Sequence, residues 1–311
     1  FEGFSSISSE LPIHQPGLII SIVILFLSGV VLCGFLQYIP IKIAVLVFIA
    51  GITVALIGWF DDQGHISARW RLIVHFIAAS IVSYACNGLP ELSFFGQSVD
   101  FGWLGYFISI ISLVWILNLF NFMDGIDGLA GGQAVLSSSV MGAILFFTFQ
   151  HVGLANLHWV LAACSFGFLL WNFPVAKIFM GDSGSGFTGL MLGTLLLMSS
   201  HIDQSLLWSW LIVLGVFIVD ATYTLLQRFI NGYRISDAHC SHAYQHASKK
   251  FTSHSFVTLI VYIINIVWLG PIALCVSMYK IDGFTALLIA YIPLILLCYF
   301  FKAGCDVIKK N

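Results

Sequence analysis

The chain has 311 residues, of which 59% are hydrophobic and 8% charged, with a formal net charge of −2 and a mean hydropathy of +1.00. Soluble domains run at about 45–50% apolar and about 25% charged, so 12 Lys and Arg with 14 Asp and Glu cannot clothe a water-soluble globule of this length. This composition excludes an ordinary soluble enzyme, a disordered chain and a secreted disulfide scaffold, and it offers no basic face for nucleic acid.

Long uncharged intervals divide the chain at the length a bilayer demands, about 20 residues per helix. They predict ten membrane spans, with approximate cores at 18–36, 42–60, 70–86, 103–122, 133–149, 156–173, 185–200, 205–229, 255–279 and 283–302. The stretch 128–176 carries no Asp, Glu, Lys or Arg and is too long for one span, so it reads as two, turning near Gln150–Asn156. Backbone groups in lipid must be satisfied internally, and such continuous apolar runs are helices rather than barrel strands. The expected class is an all-α integral membrane protein, a single polytopic domain over 1–311. Pro271 and Pro293 are expected to kink the last two helices. The segment 87–102 has the alternation and the glycine, Gly96, of a short external β-hairpin. Seven cysteines are scattered without a C-x-x-C pair and read as small buried hydrophobes.

Orientation follows the Lys and Arg residues. With ten spans and the loop after the second in the cytoplasm, Arg69, Arg71, Lys177, Arg228, Arg234, Lys249, Lys250, Lys302, Lys309 and Lys310 lie inside, and only Lys42 and Lys280 outside.

The same division sorts the acids. Asp61 and Asp62 end the second span, Asp124 and Asp127 the fourth, Asp182 sits before the seventh, and Asp237 lies in the large loop after the eighth. Acidic residues contribute little to orientation, and aspartates are ordinary helix-end residues. Carboxylates gathered at one mouth repel one another unless a cation sits among them, and carboxylate and amide oxygens suit Mg²⁺. Asn118, Asn121, Asp124 and Asp127 recur every third residue, so neighbours on a helix can share a site. Four glycines follow within Asp124–Gly132. Phe179–Gly186 is a second glycine-rich segment, placed to offer free backbone N–H groups to phosphate, or simply to cap a helix. In the polar loop 231–254, His239 and His242 stand at i and i+3 and can present two donors to one diphosphate; a solvated basic loop is the weaker alternative. Cys240 beside His239 does not make a zinc site, because no second cysteine is near. Asp220, inside the eighth span, is either functional or a structural partner of Arg69, Arg71 or Arg228.

Four blocks, Gly58-Trp-Phe-Asp-Asp62, Asn118–Gly132, Phe179–Ser185 and His239-Cys-Ser-His-Ala-Tyr-Gln245, resemble in order and spacing the polyprenyl-phosphate N-acetylhexosamine-1-phosphate transferases, glycosyltransferase family 4. The last block and Asp220-Ala-Thr-Tyr-Thr are most similar to the O-antigen branch, the undecaprenyl-phosphate N-acetylglucosaminyl-1-phosphate transferases. The resemblance implies transfer of a sugar 1-phosphate from a UDP-amino sugar to undecaprenyl phosphate with release of UMP, at the cytoplasmic face of a bacterial inner membrane. It implies Mg²⁺ or Mn²⁺ held by Asp182 with Asn121, Asp61 and Asp62 orienting or deprotonating the lipid phosphate, and Asn118, Asp124 and Asp127 shaping the nucleotide and metal site. His239 and His242 would hold the donor diphosphate. Two positions depart from the family. Cys240 stands where an Arg is usual, removing a bidentate phosphate clamp, and Ser8–Gly17 lacks the usual basic residues, which together with Phe1 suggests a truncated or diverged N-terminus. A homodimer is left open. The rival readings are a transporter of a cation or phosphorylated solute, and a catalytically impaired relative.

Overall fold

The computed structural model describes residues 16–64, 66–95, 97–233 and 239–305. In chain order the elements are α1 (Pro16–Phe35), α2 (Ile41–Gly64), α3 (Ala68–Ala85), β1 (Leu92–Phe94), β2 (Gln97–Val99), α4 (Trp103–Met123), α5 (Leu129–Phe147), α6 (Val152–Asn172), α7 (Gly181–Ser200), α8 (Gln204–Val213), α9 (Gly215–Ile230), α10 (Ala243–Phe251), α11 (His254–Ile263), α12 (Gly270–Ser277) and α13 (Gly283–Phe300). A π-helical turn, Ile264–Leu269, joins α11 to α12 immediately before Pro271. Arg234, Asp237, Lys309, Lys310, Gly96 and residues 8–15 of the N-terminal segment lie outside the described residues.

Each of the ten predicted stretches carries helix, and 128–176 is two helices, α5 and α6, turning at 148–151. Among the described residues, six helices are long and apolar enough to cross a membrane, or seven if α8 and α9, bent by 68°, make one span. The chain is a multi-pass membrane protein, but ten spans are not met by length and composition. The reason is local chemistry. α3 opens on Ala68-Arg-Trp-Arg71, and the first half of α7 is largely Gly, Ser and Thr. β1 and β2 pair antiparallel, with Leu92 opposite Val99.

α7 holds the centre. It is buried on nearly every side and packs against α2 and α4. Small residues let membrane helices approach closely. At Gly58 of α2 the approach is backbone to backbone: an added Cβ would stand 2.5 Å from the Ser183 nitrogen. This contact sets the end of α2, with Asp61 and Asp62, on the beginning of α7. The turn between α4 and α5 is fixed in the same spirit. Gly128 has φ +76°, a conformation that favours glycine. Its N–H donates to Asn172 Oδ1 at 2.8 Å, and Tyr262 donates to its carbonyl at 2.6 Å.

Gly58→Ala is expected to destabilise the protein by about 1–3 kcal/mol, as overpacking does when the obstacle is backbone. Gly64→Ala, at the open end of the same helix, meets nothing within 4 Å and should leave the unfolding temperature in detergent unchanged. Equal unfolding temperatures for the two variants would show that α2 and α7 are not in contact at Gly58.

Candidate active site

Asp62 reaches across to another helix. Its carboxylate accepts the N–H groups of Asp182 at 2.9 Å and Ser183 at 3.2 Å. A helix begins with unpartnered N–H groups and favours negative charge there, so Asp62 caps α7 on both counts. The expectation that Phe179–Gly186 offers free N–H groups to phosphate is therefore corrected: Asp62 takes two of them. Asp61, buried, accepts from the Ile66 N–H at 2.6 Å and pairs with Arg71, whose guanidinium also pairs with Asp182. Burial and the hydrogen-bonded Asp61 push the Asp182 carboxyl up to about 7 against the pull of Arg71.

The ladder of threes divides where α4 ends. Asn118 donates to the Val114 carbonyl at 2.7 Å within its own helix, and Asn121 Oδ1 accepts the Ser185 hydroxyl at 3.0 Å. Asp124 follows the last residue of α4. Burial, with the Asp182 and Asp62 carboxylates adding to it, pushes Asp124 up to about 7. Asp127 turns away from this group. It accepts the Ala176 N–H at 3.0 Å and faces His254 Nδ1 at 3.3 Å. Burial pushes its carboxyl up, but these contacts outweigh burial and hold it below the usual carboxylate range.

The histidine segment folds as the entry to α10. His242 precedes α10, and its N–H donates to Gln245 Oε1 at 3.1 Å. Asp220 of α9, 4% exposed, accepts the N–H groups of Ala243 at 2.9 Å and Tyr244 at 3.0 Å and the Thr224 hydroxyl at 3.1 Å, and faces His242 Nδ1 at 3.3 Å. The partners of Asp220 are thus the start of α10 and His242, not the arginines considered from sequence. The His239 and His242 rings lie 5.1 Å apart between centroids. His242 also stacks with Phe122 and Tyr244, and Tyr244 donates to the Phe122 carbonyl at 3.0 Å, tying α10 to α4.

These elements enclose a cavity of about 770 Å³. Arg71, Asn118, Asn121, Asp124, His239, His242 and Gln245 line it. Since Asp220 faces Nδ1 of His242, Nε2 is the ring nitrogen left for the cavity. The remaining wall is apolar and comes from α3, α4 and α9. Three of its residues, Leu72, Phe76 and Ile111, are each at least 40% exposed, so the wall continues onto the apolar outer surface. Of the residues expected from sequence, Asn118, Asn121, Asp124, His239 and His242 meet in the cavity. Asp61, Asp62 and Asp182 form the hydrogen-bonded cluster beside it, and Asp127 belongs to a separate contact. Cys240 is exposed.

The oxygen donors at this end, Asp182, Asp124 and Asn121, have the chemistry of a hard-cation site. Among the described residues no three His, Cys, Asp or Glu side chains form a metal cage. A cation that keeps waters and shares ligand phosphates needs only one or two carboxylates, and such a cation would favour the charged forms of Asp124 and Asp182 that burial and neighbouring carboxylates now disfavour. Sequence reasoning missed Arg71 as a site residue, reading it as a topology signal and as one possible structural partner of Asp220. An arginine ten residues after Asp61, at the head of an apolar helix, was the available clue.

The Asp124 shift has a consequence for stability. Its folded-state value lies above the ordinary carboxylate range, so its contribution to stability is complete below about pH 4 and is lost as pH rises through about 7. Asp124→Asn carries no charge at any pH. In chelator at pH 8 it should raise the unfolding temperature by about 2–4 °C, the equivalent of ~1 kcal/mol, and the gain should vanish at pH 4. A variant less stable than wild type at pH 8 would contradict this account of Asp124.

Comparison with known sequences places these residues in a family. The profile of glycosyl transferase family 4 matches residues 44–200. A probable undecaprenyl-phosphate N-acetylglucosaminyl 1-phosphate transferase of Bacillus subtilis (strain 168) is 32% identical over 222 residues, covering 69% of this chain and 61% of that protein. A phospho-N-acetylmuramoyl-pentapeptide-transferase of Picosynechococcus sp. is 32% identical over 225 residues, covering 64% and 60%, and one of Listeria monocytogenes serotype 4b is 30% identical over 197 residues, covering 59% of each chain. The chain thus spans about three fifths of the length of these curated relatives. The matched segment runs from α2 to the end of α7 and contains Asp61, Asp62, Asn118, Asn121, Asp124, Asp127 and Asp182, and the chain belongs to glycosyl transferase family 4.

Proposed function

We propose that this protein transfers an N-acetylhexosamine 1-phosphate, or a related amino-sugar 1-phosphate, from a UDP-sugar to undecaprenyl phosphate, starting an O-antigen or another cell-envelope polysaccharide. The observation that carries this reading is the shared cavity: Arg71, Asn118, Asn121, Asp124, His239 and His242 line one space whose apolar wall includes the exposed side chains of Leu72, Phe76 and Ile111. A substrate that is diphosphate at one end and hydrocarbon at the other fits such a space. The named activities of the similar proteins from B. subtilis, Picosynechococcus and Listeria support the same reaction class.

In this reaction an oxygen of the lipid phosphate attacks the β-phosphorus of the nucleotide sugar, the bond from that phosphorus to the bridging oxygen breaks, and UMP leaves. Phosphoryl transfer of this kind depends on positioning and charge stabilisation more than on covalent chemistry by the protein. A phosphate with its second pKa near 6 is already ionised at neutral pH, so no strong base is required. Arg71 offers its guanidinium to a phosphate, and His239 and His242 offer donors to the diphosphate. Asn118 and Asp124 shape the nucleotide pocket, Asp61 and Asp62 hold Arg71 and α7 in place, and Asp127 supports the turn that carries Asp124. Asp182 and the Asn121 amide oxygen are the residues proposed to hold Mg²⁺ or Mn²⁺. Bound there, the cation would neutralise diphosphate charge. The active end would face the cytoplasm of a bacterial inner membrane.

Purified protein given undecaprenyl phosphate, Mg²⁺ and a panel of UDP-amino sugars should release UMP with at least one of them, and Asp182→Asn should lower the rate by at least about a hundredfold, the scale of losing a charge-stabilising group. No UMP from any donor would refute the proposal, and uptake of a phosphorylated solute instead would favour transport. The orientation has its own test. In a background where the other cysteines are serine, exposed Cys240 should resist an impermeant maleimide on intact cells while Ser98→Cys, exposed beside β2, reacts. The reverse pattern would invert the topology.

A further inference from the structure

The span formed by α8 and α9 breaks at Leu214, where its axis turns by 68°. A break leaves carbonyls at the end of α8 without helical partners, and at membrane depth protein must supply them. Side chains from two other helices do so. Tyr291 of α13 donates to the Leu211 carbonyl at 2.8 Å, and Gln133 of α5 donates to the Val213 carbonyl at 2.9 Å.

Gln133 is itself locked. Its Nε2 also donates to Asn265 Oδ1 at 3.2 Å, and Asn265 Nδ2 donates to Gln133 Oε1 at 3.0 Å and to the Val261 carbonyl at 2.9 Å. All four amide protons of the pair are thereby used, and both side chains are buried. A buried polar network satisfied to this degree fixes one geometry. Asn265 stands in the π-helical turn Ile264–Leu269, so that turn is held to α5 by the amide pair.

The bend matters because of what α9 carries. Asp220 lies six residues beyond Leu214. It holds the N–H groups that begin α10 and faces the His242 ring. A change in the direction of α9 moves Asp220, and with it the ring nitrogen that meets the cavity. We infer that Gln133 and Asn265 are positioning residues for His242, acting through the bend at Leu214 and through Asp220. This rests on the proposed contact between His242 and the donor diphosphate. Gln133 follows directly on the Asp124–Gly132 segment, so one stretch of chain supports both Asp124 and His242.

The test is a double-mutant cycle. Gln133→Met keeps length and loses the donor. It should raise the donor KM about tenfold, as loss of a buried hydrogen bond does, and leave the lipid-acceptor KM unchanged. His242→Gln should raise the donor KM at least as much, and the double variant should exceed His242→Gln by no more than about twofold. Effects that multiply in the double variant, or that fall equally on the acceptor KM, would overturn the inference. Asn265→Ala, which leaves the Gln133–Val213 bond in place, carries the same cycle if Gln133→Met does not assemble. If His242→Gln leaves the donor KM unchanged, the donor-contact reading of His242 fails, and trypsin decides the positioning claim separately. Cleavage at exposed Lys249 and Lys250 should be several-fold faster in Gln133→Met, because α10 loses its cap. An unchanged cleavage rate would overturn the claim.

Discussion

A carboxylate inside an apolar bundle is tolerated only where donors or a cation surround it, and the architecture around the cavity answers to that constraint. Asp62 takes two N–H groups of α7, Asp220 takes two of α10, and Asp127 takes one from the loop after α6. Asp61 and Asp182 share Arg71. In each case a donor belongs to a different element from the acid. The acids therefore act as clasps between elements, and the helix termini they join are the ones that frame the cavity. A helix start buried without a partner would be costly. So would a buried unpaired carboxylate, and each relieves the other.

What remains over after this pairing defines the chemistry. Burial and neighbouring carboxylates disfavour the charged forms of Asp124 and Asp182, as their upward shifts show. His239 and His242 line the same cavity and can supply donors. The cavity thus holds groups suited to a cation and groups suited to an anion. A diphosphate accompanied by a hard cation answers both, and glycosyl transferase family 4 is the setting in which this chain presents them.

Helices were legible in the sequence because charge punctuates the chain at bilayer-sized intervals, and the 128–176 stretch divided correctly into α5 and α6. The number of spans was less legible. An uncharged run records the absence of ionised groups, not apolarity, and α7, with its early Gly, Ser and Thr, is uncharged after Asp182 without being strongly apolar. Spacing by threes placed Asn118, Asn121 and Asp124 together because α4 lasts through Met123. It failed for Asp127 because periodicity has no meaning beyond the last helical residue. The i,i+3 histidines met as expected, although helix α10 begins only after His242. The trans-capping of α7 by Asp62, across 120 residues, and the partners of Asp220 left no local trace, since each depends on which helices lie side by side.

The division of the cavity between early and late parts of the chain bears on biosynthesis. Arg71 neutralises Asp61 and Asp182, and Asp62 caps α7, using residues complete by Ser183. Asp220, His242 and the start of α10 satisfy one another using residues that all follow Gly215. A chain entering the membrane N-terminus first, as synthesis dictates, can therefore close the cluster of Asp61, Asp62 and Asp182 before the histidine half exists, while Asp127 waits for His254. The halves then meet through Asp127 with His254 and through neutral contacts, among them Tyr244 with the Phe122 carbonyl and Gln133 with the Val213 carbonyl. The cavity is the seam between an early and a late assembly, each built largely from contacts within itself.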